Sequence, residues 1–158
     1  MPTKILHTEL DDVDRAILAA LQADGRISNA RLAEATGIAP STAHARLRAV
    51  VARGVLRGVA VDLDPEARGL GLQALISIGI RAGARGEMTD FLARISALPG
   101  VVQAFFLGGS EDFIVHIAVR DSDAVRDFVV EHLSADPVVS FTRTSLVFDH
   151  RRRPLSVP

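Results

Sequence analysis

Five side chains within the segment 41–48, Ser41, Thr42, His44, Arg46 and Arg48, bring together hydroxyl, imidazole and guanidinium groups. Such groups reach phosphate oxygens and base edges, the guanidinium through a planar fork of donors. A second group, Gly109-Ser110-Glu111-Asp112, offers different chemistry. Glycine lets backbone N–H groups approach a carboxylate, and an aspartate can receive an ammonium group. The same four residues also make an ordinary hairpin connection, so strand linkage alone is the competing reading.

The elements that must position the first group are two short helices joined by a glycine turn over residues 29–53. Ser28 is suited to cap a helix in which Leu32, Ala33 and Ala35 supply packing positions. Gly37 takes the left-handed conformation at no steric cost, which turns the chain and drops Ile38 inward. Pro40 suits the first turn of the next helix. Ala43, Leu47, Val50 and Val51 form its expected buried stripe and leave the five polar residues and Arg53 elsewhere around it. Upstream, Asp11 can cap a helix running to about Ala23, with Val13, Ile17, Leu18 and Leu21 on its apolar side and Asp14 near the positive helix end. The result is a three-helix head with a helix-turn-helix. Residues 54–58 read as a helix stop and turn, residues 59–63 as a short extended wing, and residues 64–71 as a hinge.

Charge is distributed in keeping with this. The 158-residue chain has a formal net charge of −1, yet residues 25–61 hold six arginines against the single acid Glu34. A patch of one sign is thus confined to the face that would meet phosphates. A solvated helix face with incidental arginines is the bland alternative. For Arg46, the strongest single candidate, the alternative is pairing with Asp12 or Asp14 of the neighbouring helix.

With 48% hydrophobic and 23% charged residues the chain is expected to be globular. It has no cysteine, which excludes disulfides, thiol nucleophiles and cysteine zinc sites. No apolar run suits a signal peptide or a membrane span, so a cytoplasmic protein without membrane association is expected.

From Leu72 the period changes. Leu72, Ala74, Ile76, Ile78 and Ile80 alternate with other residues as in a strand, and Met88, Phe91, Leu92, Ile95 and Leu98 recur at helical spacing until Pro99-Gly100. Residues 101–107 and 113–119 read as strands. Ser122 is the expected cap of a helix carrying Val125, Phe128, Val129 and Leu133, and residues 138–148 close as a strand. The order βαββαβ is the ferredoxin-like arrangement. The segment 96–102 echoes 134–139 at the same helix-to-strand junction, with duplication and chance both open. Apolar neighbours such as Phe105 with Phe106, Ile114 with Val115, and Leu146 with Val147 occupy both strand faces. Two helices cover only one face, so a dimer through the other is expected, which would also pair two heads.

The chain resembles the Lrp/AsnC (feast/famine) family of bacterial and archaeal transcription regulators from Leu10 to His150. The resemblance rests on Leu10-Asp-x-x-Asp14-Arg15-x-Ile17-Leu18-x-x-Leu21-Gln22-x-Asp24-Gly25-Arg26, Leu32-Ala33-x-x-Thr36-Gly37-Ile38, Arg46-Leu47, Gly54-Val-Leu-x-Gly58 and Gly109-x-x-Asp112-Phe113. It implies an α+β protein: an N-terminal winged helix-turn-helix domain (1–63), a hinge (64–71), a C-terminal ferredoxin-like sensing and oligomerisation domain (72–150) and a tail (151–158). It also implies double-stranded DNA as partner through Ser41, Thr42, His44, Arg46 and Arg48. An amino-acid effector would lie between subunits at Gly109, Ser110, Glu111 and Asp112, in homodimers that build assemblies such as octamers. No cofactor or metal is implied.

Departures from the family pattern are informative. Ala39 stands where a capping serine is usual, at a cost of about 1 kcal/mol. Val50-Val51 replaces Leu-Glu, Val59 replaces an aromatic, and Ser110-Glu111 occupies a position pair that often includes an aromatic. Glu111 by itself would favour an arginine or lysine effector.

Other functions find less support. The histidines at 7, 44, 116, 132 and 150 lack paired ligand spacing, and His116 in an apolar strand reads as a packed or interface residue. Gly69-Leu-Gly71 does not follow a strand as a dinucleotide fingerprint would, and no phosphate loop or nucleophile elbow is present. A regulatory subunit of a metabolic enzyme is therefore the weaker alternative. An architectural DNA-binding protein without an effector shares every DNA-facing feature. Arg151-Arg152-Arg153 read as a solvated tail, with contact to DNA or a neighbouring subunit as the alternative.

Overall fold

A computed structural model describes residues 9–151. The chain divides into two compact units, the first ending at Val61 and the second comprising Asp62–Arg151.

Three helices build the first unit: α1 (Asp12–Ala23), α2 (Asn29–Thr36) and α3 (Pro40–Ala52). Each start follows from its local chemistry. The Asp11 carboxylate accepts the Asp14 backbone N–H at 2.8 Å, and the Ser28 hydroxyl accepts that of Arg31 at 3.3 Å. α3 begins at Ala39 and Pro40 with no side-chain cap. Gly37, at φ 67°, ends α2 and lets the Ile38 N–H turn back to the Ala33 carbonyl. The Asn29 side-chain amide donates to the Pro40 carbonyl at 2.9 Å and ties the start of α2 to that of α3. Ile17, Leu18, Leu32, Ala33, Ala43 and Val50 form the small core.

Two expected packing positions differ. Val51 remains 51% exposed, because the buried line of α3 runs through Ala43 and Val50 and the next residue lies about 100° further round. Ala35 is exposed as well, since α2 turns only Leu32 and Ala33 inward. Residues 59–63, expected as a short extended wing, pair in no strand, and Val59, Val61 and Leu63 stay exposed. An extended segment becomes a strand only with a partner to share its hydrogen bonds, and this unit supplies none among the described residues. The segment 64–71 contains a 3₁₀ turn, Glu66–Arg68, closed by Gly69.

The second unit runs β1 (Leu72–Ile80), α4 (Met88–Ser96), β2 (Val101–Phe106), β3 (Phe113–Val119), α5 (Ser122–Val129) and β4 (Val139–Val147). Its strands form one antiparallel sheet in the order β2-β3-β1-β4. The helices cover one face. There Ala74, Ile76 and Ile78 stand opposite Ile117, Val115 and Phe113, all buried. Phe91 and Ile95 of α4 and Val125 and Phe128 of α5 complete this core, with the rings of Phe91 and Phe113 5.1 Å apart. Past Val129 the helix widens into a π turn, Val130–Ser134, that brings Leu133 inward. The cap of α5 is Asp121, not Ser122: its carboxylate accepts the Ala124 N–H at 2.9 Å. A carboxylate at that position also meets the positive helix end.

No helix covers the other face, where Leu75, Phe105 and Phe141 are 38%, 45% and 41% exposed. The Phe141 ring packs directly on the backbone of Gly79, its partner across β1 and β4, where any Cβ would collide with it. His116 lies on this face with Nε2 at 2.9 Å from the Gln73 side-chain oxygen, so it reads as packed, as expected. Burial, and then the nearby His150, hold its imidazolium pKa below the ordinary value.

Among the described residues no helix is long and apolar enough to cross a membrane. Arg151 pairs with Asp149 at 3.6 Å, whereas Arg152, Arg153 and the rest of the tail lie outside the described residues.

The bare start of α3 generates a direct expectation. Ala39→Ser should raise the stability of the helical unit by about 1 kcal/mol in urea unfolding followed by circular dichroism, and an unchanged midpoint would show that this turn cannot use a cap.

Candidate nucleic-acid interface and effector loop

On α3, Ser41, Ala45, Arg48 and Ala52 lie on a line opposite the buried Ala43 and Val50, at about 100° per residue. Thr42 and His44 flank that line, and Ser41, Thr42, His44 and Arg48 are all exposed. The small Ala45 and Ala49 leave the centre of this face flat, which suits approach to a groove.

Arg46 and Arg53 lie round the helix on the side of α1. The Arg46 guanidinium contacts Asp11 at 2.5 Å and Asp14 at 3.4 Å. Arg53 reaches Asp14 at 2.8 Å and the Glu9 carbonyl at 2.6 Å. Asp14 is only 1% exposed, so two arginines from α3 meet a carboxylate inside the head. Asp12, the other acid within sequence reach of Arg46, pairs instead with Arg15 at 3.0 Å. The Asp14 backbone N–H is the main cause of a lowered Asp11 carboxyl pKa, which partial desolvation opposes and Arg46 reinforces. The hydrogen bond to Asp11 in turn raises the Arg46 pKa.

Of the six arginines in residues 25–61, two are therefore engaged by acids at α1. Among the described residues Arg26, Arg31, Arg48 and Arg57 make no ion pair. The role of Arg53 was open to sequence reasoning through one signal: Asp14 shares the stripe of Ile17, Leu18 and Leu21. A carboxylate on a core stripe requires a cation from a neighbouring element.

The second group sits between β2 and β3, where the structure brings Gly109, Ser110, Glu111 and Asp112 to one end of the sheet. Asp112 is engaged with β1: its carboxylate accepts the Ile80 N–H at 2.7 Å and its own N–H donates to the Ile78 carbonyl at 3.0 Å. The Ser110 hydroxyl donates to Glu111 at 2.6 Å, and Arg143 of β4 contacts Glu111 at 3.2 Å. These contacts, Ser110 first and Arg143 after it, outweigh desolvation and hold the Glu111 carboxyl pKa below its ordinary value. Gly109 has no positive φ, and a Cβ there would meet nothing within 4 Å. Arg143 was not legible beforehand, because only the β1–β4 register, which sets it opposite Ser77, carries it to this end of the sheet.

Comparison with known proteins accounts for both units. Residues 10–49 match the AsnC-type helix-turn-helix domain, and residues 73–155 match the Lrp/AsnC ligand binding domain. The HTH-type transcriptional regulator AldR of Mycolicibacterium smegmatis is 50% identical over 151 residues, covering 96% of this chain and 88% of that protein. The leucine-responsive regulatory protein of Rhizobium meliloti is 34% identical over 142 residues, covering 90% of this chain and 91% of its own. The crystal structure of a transcriptional regulator from Neisseria meningitidis in complex with L-methionine superposes with a TM-score of 0.83 at 32% identity, covering 95% of this chain and 97% of that one.

The Asp11 contacts predict a pH dependence. Asp11 has a folded pKa below its ordinary 3.8. The stability it confers is therefore complete above that value and is lost as the pH falls beneath it, through the lowered folded pKa. Asparagine also caps helices, so Asp11→Asn removes the charge and keeps the cap. Urea unfolding should show the variant less stable than the parent at pH 7, with the gap narrowing as the pH falls below 3.8. A stability gap independent of pH would rule out the ionic contribution.

Proposed function

The chain belongs to the Lrp/AsnC family of transcriptional regulators, and on that premise we propose that it reads specific double-stranded DNA as a cytoplasmic homodimer building larger assemblies such as octamers, without catalytic activity. An amino acid or related metabolite, bound between subunits at the loop 109–112, controls it. The outward face of α3 carries this reading, with Ser41, Thr42, His44 and the unpaired Arg48 exposed together on the side away from the core. Arg46 belongs to the same interface from its flank, and it must exchange Asp11 for a phosphate to touch DNA.

Assembly and sensing have their own support. The uncovered sheet face exposes Leu75, Phe105 and Phe141, and a second copy of the same face buries them with little rearrangement. A dimer made in this way carries two heads, as paired half-sites on DNA require. At the loop, neither the backbone conformation nor a neighbour in this chain demands glycine at 109. That leaves open space for a ligand's carboxylate against the backbone.

Mobility-shift titrations against genomic fragments selected by footprinting test the DNA face. At fixed salt, Arg48→Ala should weaken binding by about 1–3 kcal/mol if it reads a base, or lower the salt slope by about one if it holds a phosphate. The thermal stability of the head should not change. Arg46→Ala should weaken binding and also destabilise the head. Unchanged affinity in both variants would refute the assignment of this face. A thermal-shift screen of the twenty amino acids tests the sensing half: at least one should raise the melting temperature and alter DNA affinity. A response to none would leave an effector-free architectural protein as the better reading.

A further inference from the structure

We infer that Arg143 and Glu111 together receive the two charged ends of a zwitterionic α-amino acid with an uncharged side chain, Arg143 taking the carboxylate and Glu111 the ammonium group. This rests on the effector reading of the loop 109–112 and specifies its ligand.

Glu111 alone would draw a basic amino acid. In the folded chain its charge is matched by the guanidinium of Arg143 at 3.2 Å, and the loop's other carboxylate, Asp112, is turned to the Ile80 N–H, so Glu111 offers no unmatched charge to a cationic side chain. The pair is poised for exchange: the Arg143 side chain is 68% exposed and that of Glu111 25%, and ion pairs open to water are weakly held. An α-amino acid presents opposite charges on neighbouring atoms, much as the pair does. Laid against it, the ligand replaces one weak contact by two charge-assisted ones, and the guanidinium fork matches a carboxylate in two places. The Ser110 hydroxyl, 2.6 Å from the other oxygen of Glu111, keeps that carboxylate oriented during the exchange.

Asp112 is less free to serve the ammonium group, because its carboxylate is committed to the Ile80 N–H and its backbone to Ile78. Its part is to fasten the loop to β1, which fixes Glu111 within reach of β4. β4 is an edge strand, and Phe141, two residues before Arg143 on the same face, packs against Gly79. The pair thus borders an apolar surface on which an uncharged side chain can rest.

Isothermal titration of the full chain with L-methionine, L-leucine, L-alanine and L-lysine, and with the α-carboxamides and N-acetyl derivatives of the first three, tests the inference. The parent protein should bind at least one of the uncharged amino acids, more tightly than L-lysine. It should bind the matching carboxamide, which lacks the carboxylate charge, about tenfold more weakly. Arg143→Gln should weaken the amino acid by about tenfold and erase its advantage over the carboxamide, whereas Arg143→Lys should keep part of that advantage. Glu111→Gln should erase the preference for the free amine over the N-acetyl derivative. Variants that bind with the parent's affinity and preferences would overturn the pair's role and leave the effector reading intact. Tightest binding of L-lysine would overturn the charge argument. No binding of any amino acid to the parent would remove the effector reading and this inference with it.

Discussion

A carboxylate withdrawn from water governs the DNA-reading end of this protein. Asp14 is 1% exposed, and an acid so placed is tolerated only with cations and hydrogen bonds gathered about it. Arg46 and Arg53 supply them from α3, and Arg53 also reaches the Glu9 carbonyl. The cost of burying the acid is thereby turned into a constraint on the angle of α3, because only a narrow range of placements lets both guanidiniums reach α1. The remaining core is small, with Ala33 and Ala43 among its members, and dispersion alone would orient the recognition helix loosely.

The same pairing decides which charges remain for DNA. Counting arginines in residues 25–61 overstates the free positive charge, since two of them are neutralised from the neighbouring helix. Arg48 stands clear on the face opposite the core. Arg46 is both fastener and candidate contact, and a phosphate that claims it must compete with Asp11.

In the second unit the governing element is β1, which pairs along nearly its whole length with β3 on one side and β4 on the other. Its alternate residues Ala74, Ile76 and Ile78 fill the helix-covered core, while Leu75, Ser77 and Gly79 line the uncovered face. At its end Ile78 and Ile80 hold the loop through Asp112. The strand therefore connects the core, the sheet face and the loop, so that a change at the loop has a short covalent and hydrogen-bonded route to the surface where a second copy would bind.

Local rules acting along the chain set a large part of this architecture. Apolar periods of 3.6 and 2 residues placed the helices and strands in the order βαββαβ, Asp11, Ser28 and Gly37 marked the ends of helices, and the ordered motifs from Leu10 to Phe113 pointed to the family. Caps, turns and periodicity act over a few residues, so they are legible without knowing what lies across the fold. The tertiary structure alone decided what depends on register and on neighbours distant in the chain. It paired Arg46 and Arg53 with Asp11 and Asp14, left Val51 exposed and residues 59–63 without a strand partner, and brought Arg143 across to Glu111. Strand register and helix crossing are settled by the packing of whole surfaces, and electrostatic partners follow from that packing. The chemical types at each site could therefore be read from the chain, but which of those charges are already spent could be read only from the fold.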